Sequence, residues 1–377
     1  MQEKIWLSSP HMSGEEQKYV KEAFDTNWVA PLGPNVNGFE KDLEHYLKND
    51  VHVAALSAGT AAIHLGLILL GVEAGDEVIC QSMTFSASAN PILYQGAIPV
   101  FVDSEEETWN ICPIALEEAI QDRIAKGKKP KAIIAVHLYG MPYMHKEIKA
   151  VAEKYEIPVL EDAAEALGSV YQGQNCGTLG DIAILSFNGN KIITTSGGGA
   201  LVAHDKKLKE KAVFYATQAR DEAPHYQHSH IGYNYRMSNV VAGIGRGQME
   251  VLQDRVEARR KNFQFYFDSI GNLPGFQFVL ETDENISNRW LSTVLINEEK
   301  AGINTSVLRE ILEKENIETR PLWKPMHLQP IFEKYPYYGK TVAEDLFKTG
   351  LCLPSGSNLT HIDLLRVVNA IKNSLKK

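Results

Sequence analysis

The sequence predicts an α/β fold with a mostly parallel central sheet, and two observations support this prediction. Between about residues 51 and 203, short apolar runs alternate with longer amphipathic stretches. The apolar runs have the length of buried strands, and the stretches between them have the apolar spacing of helices. An alternation of this kind is typical of parallel strands whose faces are covered by helices.

The elements of this first region can be assigned in chain order. The predicted strands are Glu77–Cys80, Ile98–Val102, Ala132–Val136, Pro158–Glu161, Ile182–Ser186 and Gly199–Ala203. The predicted helices are Thr60–Leu70, Ser86–Gln95, Ile114–Ala125 and Tyr143–Tyr155. Pro113 suits the first turn of the third helix, because the N–H group of a residue at that position has no intrahelical hydrogen-bond partner.

The pattern changes after Met237. One long, densely charged helix is predicted over Val240–Phe267, followed by a strand at Trp290–Ile296 and helices at Thr305–Glu315 and Thr360–Ser374. We therefore expect two domains. Residues 1–240 would form a large α/β domain that includes the N-terminal segment, and residues 241–377 a smaller α+β domain.

Composition and charge exclude several classes of protein. The 377 residues include 38 Lys or Arg and 47 Asp or Glu, for a net charge of −9, which argues against a nucleic-acid-binding protein. The four cysteines are scattered without a C-x-x-C pair, which favours reduced thiols. We see no signal peptide, and the longest apolar stretch, Ala61–Leu70, is too short to span a bilayer. We expect a cytoplasmic protein without membrane contact.

Lys191 is the most informative single residue. It lies in a polar, glycine-rich turn between two predicted strands, in the sequence Ser186-Phe187-Asn188-Gly189-Asn190-Lys191. Such a lysine can be an ordinary loop residue in contact with water. A lysine sheltered from water can instead provide a free amine for Schiff-base chemistry. The spacing alone leaves both interpretations open.

Three upstream segments favour the chemical interpretation. Asp162 directly follows the predicted strand Pro158–Glu161 and would lie at the carboxyl edge of the sheet, where open α/β folds bind ligands. It could equally cap a turn. The sequence Ser57-Ala58-Gly59-Thr60 precedes an apolar helix and is compatible with a phosphate site or with an ordinary helix start. Phe85 would by default pack in the core.

Together these segments have the order of a pyridoxal phosphate site, and the chain resembles the fold-type I aminotransferases. More narrowly, it resembles the DegT/DnrJ/EryC1/StrS family of nucleotide-sugar aminotransferases, from about Ser8 to the last helix. The motifs that carry the resemblance are Ser57-Ala58-Gly59-Thr60-Ala61-Ala62, Glu161-Asp162-Ala163-Ala164-Glu165, Ser186-Phe187-Asn188-Gly189-Asn190-Lys191, Gly232-Tyr233-Asn234-Tyr235-Arg236-Met237-Ser238-Asn239 and Arg320-Pro321-Leu322-Trp323-Lys324-Pro325-Met326-His327. It implies a fold-type I architecture and pyridoxal 5'-phosphate as cofactor.

The resemblance also implies roles for the catalytic residues. Lys191 would bind the cofactor covalently and move protons. Asp162 would pair with the protonated pyridine nitrogen, which makes the ring an electron sink. Glu165 occupies a position near the cofactor hydroxyl where the family commonly has Gln or His. A carboxylate there is a departure from the family pattern, and its protonation state stays open.

Further residues would hold the cofactor. By the same resemblance, Gly59, Thr60 and Ser186 would bind the phosphate, and Phe85 would stack on the ring. Asn234 matches a residue that reaches the cofactor phosphate of the neighbouring subunit. The chain is therefore expected to be a homodimer with shared active sites.

The substrates that the resemblance implies are L-glutamate and a UDP-linked 4-keto-6-deoxy sugar, most closely one with a 2-acetamido group, aminated at C4. The candidate substrate-binding residues are Trp28, Arg236, Arg320, Lys324 and His327. The alternatives are a GDP- or dTDP-linked keto sugar, with amination at C4 or C3. A sugar dehydratase is disfavoured, because relatives with that activity carry His in place of the lysine. A non-enzymatic regulatory protein would be expected to lack Lys191 or Asp162.

Three other patterns have simpler interpretations. His225, His228 and His230 lack the partners of a metal motif, so we expect a loop and no metal. Gly243-Ile244-Gly245-Arg246-Gly247 lacks a preceding strand and indicates tight helix packing rather than a dinucleotide site. The basic run 255–261 is expected to lie on a solvated helix face.

Overall fold

The predicted parallel sheet forms the centre of the structure. The structure is a computed structural model and describes residues 3–282 and 285–375. The helices are α1 Glu16–Asp25, α2 Pro34–Leu47, α3 Gly59–Leu69, α4 Ser86–Tyr94, α5 Pro113–Ala125, α6 His145–Tyr155, α7 Lys206–Ala216, α8 Asn239–Met249, α9 Leu252–Ile270, α10 Glu298–Ala301, α11 Thr305–Lys314, α12 Val342–Thr349 and α13 His361–Ser374.

The strands belong to three sheets. They are β1 His52–Leu56, β2 Glu77–Gln81, β3 Ile98–Val102, β4 Ala132–Val136, β5 Val159–Asp162, β6 Val170–Tyr171, β7 Gln174–Asn175, β8 Ile182–Ser186, β9 Gly199–Ala203, β10 Phe276–Phe278, β11 Asn285–Ile286, β12 Ser292–Ile296, β13 Arg320–Pro321, β14 Tyr337–Tyr338 and β15 Gly350–Leu353.

The main sheet has the strand order β1-β9-β8-β5-β4-β2-β3-β14. Within it only β9 runs antiparallel to its neighbours, β1 and β8, and the other pairs are parallel. The carboxyl ends of β1, β2, β5 and β8 therefore meet at one edge. Ligands bind at this edge in open α/β folds. The expectation of a mostly parallel sheet is confirmed.

Six of the seven predicted strands agree with the structure to within one residue at each end, whereas Trp290–Ile296 was predicted to begin two residues before β12 does. Eight of the fifteen described strands were not predicted, and the longest of these is β1. Its sequence, His52-Val53-Ala54-Ala55-Leu56, is rich in alanine, which has low strand propensity. The strand forms because it pairs along its whole length with β9, which lies about 150 residues later in the chain. Tertiary pairing therefore overrides local preference here.

The single long helix predicted over Val240–Phe267 is wrong, because the chain turns at Glu250–Val251 and forms α8 and α9. The glycines of α8 let two helices approach closely, as the sequence indicated. A Cβ atom on Gly247 would lie 2.5 Å from the backbone nitrogen of Glu16 in α1, and one on Gly245 would lie 2.7 Å from the Phe39 ring in α2. Helix α8 is thus held against the N-terminal helices.

A second, four-stranded antiparallel sheet, β10-β12-β15-β13, lies in the C-terminal part of the chain. Its core includes Ile5 from the N-terminus and Tyr266 from α9. The same helix contributes Val256 to the core beside the main sheet, so α9 belongs to both cores. The division into residues 1–240 and 241–377 stays a prediction.

The described part of the chain, residues 3–282 and 285–375, holds no helix with both the length and the apolar composition needed to cross a bilayer.

Candidate active site

A cavity of about 610 Å³ opens at the carboxyl edge of the main sheet. Its walls come from the ends of β1, β5 and β8, from the first turns of α3 and α4, and from the second sheet. Eight of the residues singled out in the sequence line it, namely Gly59, Thr60, Phe85, Asp162, Glu165, Ser186, Lys191 and Arg320. Residues far apart in sequence meet here because parallel strands end at one edge.

One end of the cavity is a cradle made of backbone. Helix α3 begins at Gly59 and no side chain caps its first turn, so its first N–H groups have no intrahelical partner. Ser186 lies opposite, since a Cβ atom on Gly59 would come within 3.0 Å of the Ser186 Cβ. Free N–H groups, the positive end of a helix and a hydroxyl are suited to binding a phosphate.

Asp162 lies at the floor of the cavity and is 4% exposed. Its Oδ2 accepts a hydrogen bond of 2.6 Å from the Ser88 hydroxyl, and its Oδ1 accepts one of 3.1 Å from the Ala164 N–H. Burial raises the pKa of Asp162, while the Ser88 hydroxyl and the Ala164 N–H act in the opposite direction. The carboxylate is therefore oriented by these two donors and is poised to gain from a cationic partner.

Glu161, one residue earlier, is fully buried. Its carboxylate accepts hydrogen bonds from His137 Nε2 at 2.7 Å and from the N–H groups of Gly177, Leu179 and Gly180 at 2.5, 2.7 and 2.9 Å. Burial acts to raise the pKa of Glu161, but His137 and these N–H groups outweigh it and hold the pKa below its usual range. Successive residues of a strand point to opposite faces, so Glu161 anchors the strand end from the side away from Asp162.

Lys191 forms an ion pair with Glu165 inside the cavity. Lys191 Nζ lies 3.2 Å from Glu165 Oε1, and the side chains are only 11% and 3% exposed. The other oxygen of Glu165 accepts a hydrogen bond of 2.7 Å from the Tyr139 N–H. Burial raises the pKa of Glu165 to about 7, against the opposing effect of Lys191. Glu165 therefore exchanges its proton near neutral pH, in direct contact with the lysine.

Aromatic rings enclose the lysine and the mouth of the cavity. Lys191 Nζ lies 4.2 Å from the centre of the Trp290 ring, whose Nε1 donates to the Asn190 carbonyl at 2.7 Å. Phe85 and Trp323 line the mouth, with ring centroids 5.6 Å apart. Such flat apolar walls suit a ring-shaped ligand.

One cation lines the rim of the cavity. The guanidinium of Arg320 donates to Glu318 Oε1 at 2.8 Å from Nη2, and its side chain is 67% exposed. Glu318 is in turn held by the N–H of Leu7 at 3.0 Å. Arg320 therefore has a defined position with donors left over for an anionic ligand.

Comparison with known proteins agrees with this geometry. Residues 10–372 match the model of the DegT/DnrJ/EryC1/StrS aminotransferase family. The chain belongs to this family. It is 52% identical over 375 residues to the putative pyridoxal phosphate-dependent aminotransferase EpsN of Bacillus subtilis strain 168, covering 98% of this chain and 96% of EpsN. It is 37% identical to the GDP-perosamine synthase of Escherichia coli O157:H7, covering 97% of each.

A solved structure shares the fold. The DegT DnrJ EryC1 StrS aminotransferase from Brucella abortus superimposes with a TM-score of 0.90 at 28% identity, covering 97% of this chain and 96% of that one. The family is dependent on pyridoxal phosphate, so the cofactor and the fold-type I architecture expected from the sequence are confirmed. The cradle, the buried carboxylate and the lysine in one cavity fit this cofactor.

Five residues singled out in the sequence lie outside the cavity. Trp28 is 43% exposed on the loop after α1, and Lys324 and Asn234 are also exposed. Arg236 Nη1 donates to Glu40 and to the Ala55 carbonyl, so this aminotransferase uses it to hold β1. His327 is hydrogen-bonded to the Ser82 hydroxyl at 2.7 Å and stacks on Tyr337. The substrate-binding roles expected for Arg236 and His327 receive no support from these contacts.

The histidine-rich loop is exposed, and its rings have separate partners. His225 contacts Gln227, His228 contacts the Gln218 carbonyl, and His230 contacts Ser229. Within the described ranges, one group brings three metal-binding atoms within 4.8 Å of one another, namely His137, Glu161 and Cys176. Both nitrogens of His137 are engaged, by Glu161 and by the Tyr143 N–H, which is a structural arrangement.

Sequence reasoning missed Ser88, Trp290 and the buried Arg259. Ser88 had a usable signal, because it lies in the first turn of a helix that follows a strand end. Trp290 had none, since it was assigned to a strand and lies about 100 residues from Lys191 as counted along the chain. The basic run 255–261 was wrongly placed on a solvated face, because Arg259 is 1% exposed.

We predict that Glu165→Gln weakens the pH dependence of stability. The folded-state pKa of Glu165, about 7, lies above the ordinary carboxyl pKa of 4.5, so the protonated form stabilises the fold below about pH 4.5. That contribution is lost as the pH rises through about 7. The wild type should lose roughly 2–3 kcal/mol more than the variant between about pH 5 and about pH 8. Urea denaturation of the cofactor-free protein measures this.

Glu16→Gln is a suitable control. Hydrogen bonds from Ser13 and Gln248 outweigh the effect of burial and hold the pKa of Glu16 at about 2, so Glu16 stays ionised across the same range. Its replacement should shift stability by the same amount at both pH values. An unchanged pH slope in Glu165→Gln would contradict the buried, titrating state of Glu165.

Proposed function

We propose that this protein transfers an amino group from L-glutamate to the keto group of a nucleotide-linked sugar. The observation that carries the proposal is the meeting of Lys191, Asp162 and the α3–Ser186 cradle in one cavity. The sugar assignment is supported by relatives named GDP-perosamine synthase, at 32–37% identity over nearly the whole chain. A sugar aminotransferase needs a cofactor site and, beside it, a sugar site that opens to solvent.

The chain's own residues divide the work of holding the cofactor. The N-terminus of α3 and Ser186 would bind the phosphate, and Asp162, oriented by Ser88, would keep the ring nitrogen protonated. Phe85 would cover the ring. When bound, pyridoxal phosphate supplies an aldehyde that exchanges amino groups and a ring that accepts the electrons of a broken C–H bond.

Lys191 and Glu165 would transfer the protons of the reaction. Lys191 Nζ would first attach to the cofactor and then, once released, carry a proton between the donor carbon and the cofactor. The free amine is needed for both tasks. Glu165, 3.2 Å away, is placed to take the proton from Nζ and to return it. The Trp290 ring, 4.2 Å from Lys191 Nζ, would shield this exchange from water.

A separate proposal concerns the substrate. We propose a 4-keto-6-deoxy sugar aminated at C4, with UDP as the carrier expected from the sequence. A GDP-linked sugar is the second candidate, favoured by the names of three relatives. Arg320 at the rim would contact the diphosphate, and Trp323 would pack against a ring of the substrate.

The protein is further proposed to act as a homodimer. Asn234 is exposed, and the segment that carries it is tied to the cradle by a 2.7 Å hydrogen bond from the Ser57 N–H to the Tyr235 carbonyl. Asn234 thus lies on a segment fixed beside the phosphate cradle of its own subunit, and its side chain is exposed. It would therefore be available to the phosphate cradle of a second copy. Two-fold dimers are the most frequent soluble assembly.

The first prediction of the proposed function concerns Lys191. Borohydride reduction of the protein with pyridoxal phosphate should fix the cofactor on Lys191, because this is the lysine inside the cavity. Peptide mapping by mass spectrometry locates the label. Lys191→Ala should lose the label and keep the fold. A label on a different lysine in the wild type would refute the assignment.

The second prediction concerns shared sites. A mixture of Lys191→Ala and Asn234→Ala subunits should regain part of the activity that each variant lacks. In a hybrid dimer, one site carries both lesions and the other carries none. Activity is measured after subunit exchange has been verified. If exchanged hybrids stay as inactive as the parents, Asn234 does not act across the interface.

The third prediction concerns the sugar. With L-glutamate as donor, the enzyme should aminate a UDP-linked 4-keto-6-deoxy sugar at C4 faster than its GDP- and dTDP-linked counterparts. NMR of the products identifies the aminated carbon. Turnover confined to the GDP-linked sugar would select the second candidate. The absence of turnover with every keto sugar, alongside labelled Lys191, would limit the proposal to an aminotransferase of another substrate class.

A further inference from the structure

Arg259 is a buried cation for which the reaction has no evident use. The side chain is 1% exposed, and its partners in the described ranges are two carbonyls and one hydroxyl. Its Nε has no hydrogen-bond partner. Burial, with a smaller contribution from Arg255, lowers the pKa of Arg259 to about 9, so the guanidinium stays charged at neutral pH. A charge buried without a carboxylate is costly and calls for a reason.

The contacts of Arg259 converge on the walls of the cavity. Its Nη1 donates to the Trp290 carbonyl at 2.6 Å, and its Nη2 donates to the Ser8 hydroxyl at 2.9 Å and to the Lys191 carbonyl at 3.4 Å. Ser8, Lys191 and Trp290 come from three distant segments, and all three line the cavity. One guanidinium thus bridges the N-terminus, the lysine turn and the loop before β12.

These contacts close into a ring. The Asn190 carbonyl accepts a hydrogen bond of 2.7 Å from the Ser8 hydroxyl and another of 2.7 Å from Trp290 Nε1. The path from Arg259 through Ser8, Asn190 and Trp290 back to Arg259 includes the main-chain carbonyl of the residue just before Lys191. A planar fork with several donors can hold such a ring, whereas an apolar or single-point side chain cannot.

We propose that Arg259 is a positioning residue that holds the backbone of Lys191 and the ring of Trp290 in the geometry needed for cofactor attachment. This inference rests on the proposed function, in which Lys191 is the reacting lysine. Without the guanidinium, the lysine turn would lose its link to Trp290 and Ser8. The Lys191 amine would then sample positions away from the cofactor, although the rest of the cavity stays formed.

The test compares Arg259→Met with wild type in the rate at which cofactor-free protein binds pyridoxal phosphate covalently. The attachment is followed by visible absorbance and verified by borohydride trapping at Lys191. We expect a rate at least about tenfold lower, because a displacement of about 1 Å is enough for such a loss. The visible circular dichroism per bound cofactor should also fall, since it reports how rigidly the cofactor is held.

Arg255→Met is the matched control. Arg255 lies one turn earlier on α9 and contacts His11 instead of the cavity walls, with Nη2 donating to the His11 carbonyl at 3.1 Å. Its replacement should leave both readouts within about twofold of wild type. Arg259→Lys keeps the charge but not the fork and should recover only a minor part of the lost rate.

Three results would overturn the inference. They are wild-type rate and dichroism in Arg259→Met, full recovery in Arg259→Lys, and an equal loss in Arg255→Met. If Arg259→Met does not fold, Ser8→Ala and Trp290→Phe each remove one link of the ring, and normal readouts in both would overturn it as well. A wild type that carries no cofactor on Lys191 would instead refute the proposed function.

Discussion

The structure of the active site depends on burying two adjacent carboxylates at the end of one strand. A carboxylate removed from water is tolerated only when its oxygens are supplied with donors. Because Glu161 and Asp162 face opposite sides of β5, the fold has to supply donors on both sides at once. His137 and the Gly177–Gly180 turn do so on one side, and Ser88 and Ala164 on the other. These partners fix the position of β5, and with it the floor of the cavity.

The remaining buried charges follow a different rule. Lys191 and Glu165 share a water-poor space, and each lowers the cost of the other's charge while the proton stays exchangeable. Arg259 has no such counter-charge and is satisfied by carbonyls and a hydroxyl instead. A carboxyl group whose pKa is raised to about 7, as that of Glu165 is, is suited to moving a proton. A cation that keeps its proton is suited to holding a framework in place. The two arrangements lie side by side around the lysine turn.

The opening of the cavity is assembled from segments that are far apart in the chain. Leu7 and Ser8 come from the N-terminus, Trp290 from the loop before β12, and Trp323 from the loop after β13. None of these segments directly follows a strand of the main sheet in the chain. They arrive there because the second sheet and α9 pack beside it, and Ile5 joins the core of that second sheet. The wall available to a substrate is therefore a product of the packing between the two sheets.

The sequence by itself determined the mostly parallel sheet, most of the strands within it and the identity of the cofactor. Runs such as Ile98–Val102 are apolar enough to be recognised as buried strands. Asp162 and Ser186 are the last residues of β5 and β8, and Lys191 follows shortly after, so all three lie at the edge where parallel strands end. Only the tertiary structure decided that β1 forms, that the long charged helix breaks at Glu250–Val251, and that Arg236 binds Glu40 rather than facing the cavity. It alone placed Trp290 and Arg259 around Lys191. The physical reason is distance along the chain. Apolar periodicity is a local pattern, whereas the pairing of a strand, the partner of a charge and the wall of a cavity are set by residues that here lie 31 to 196 positions away.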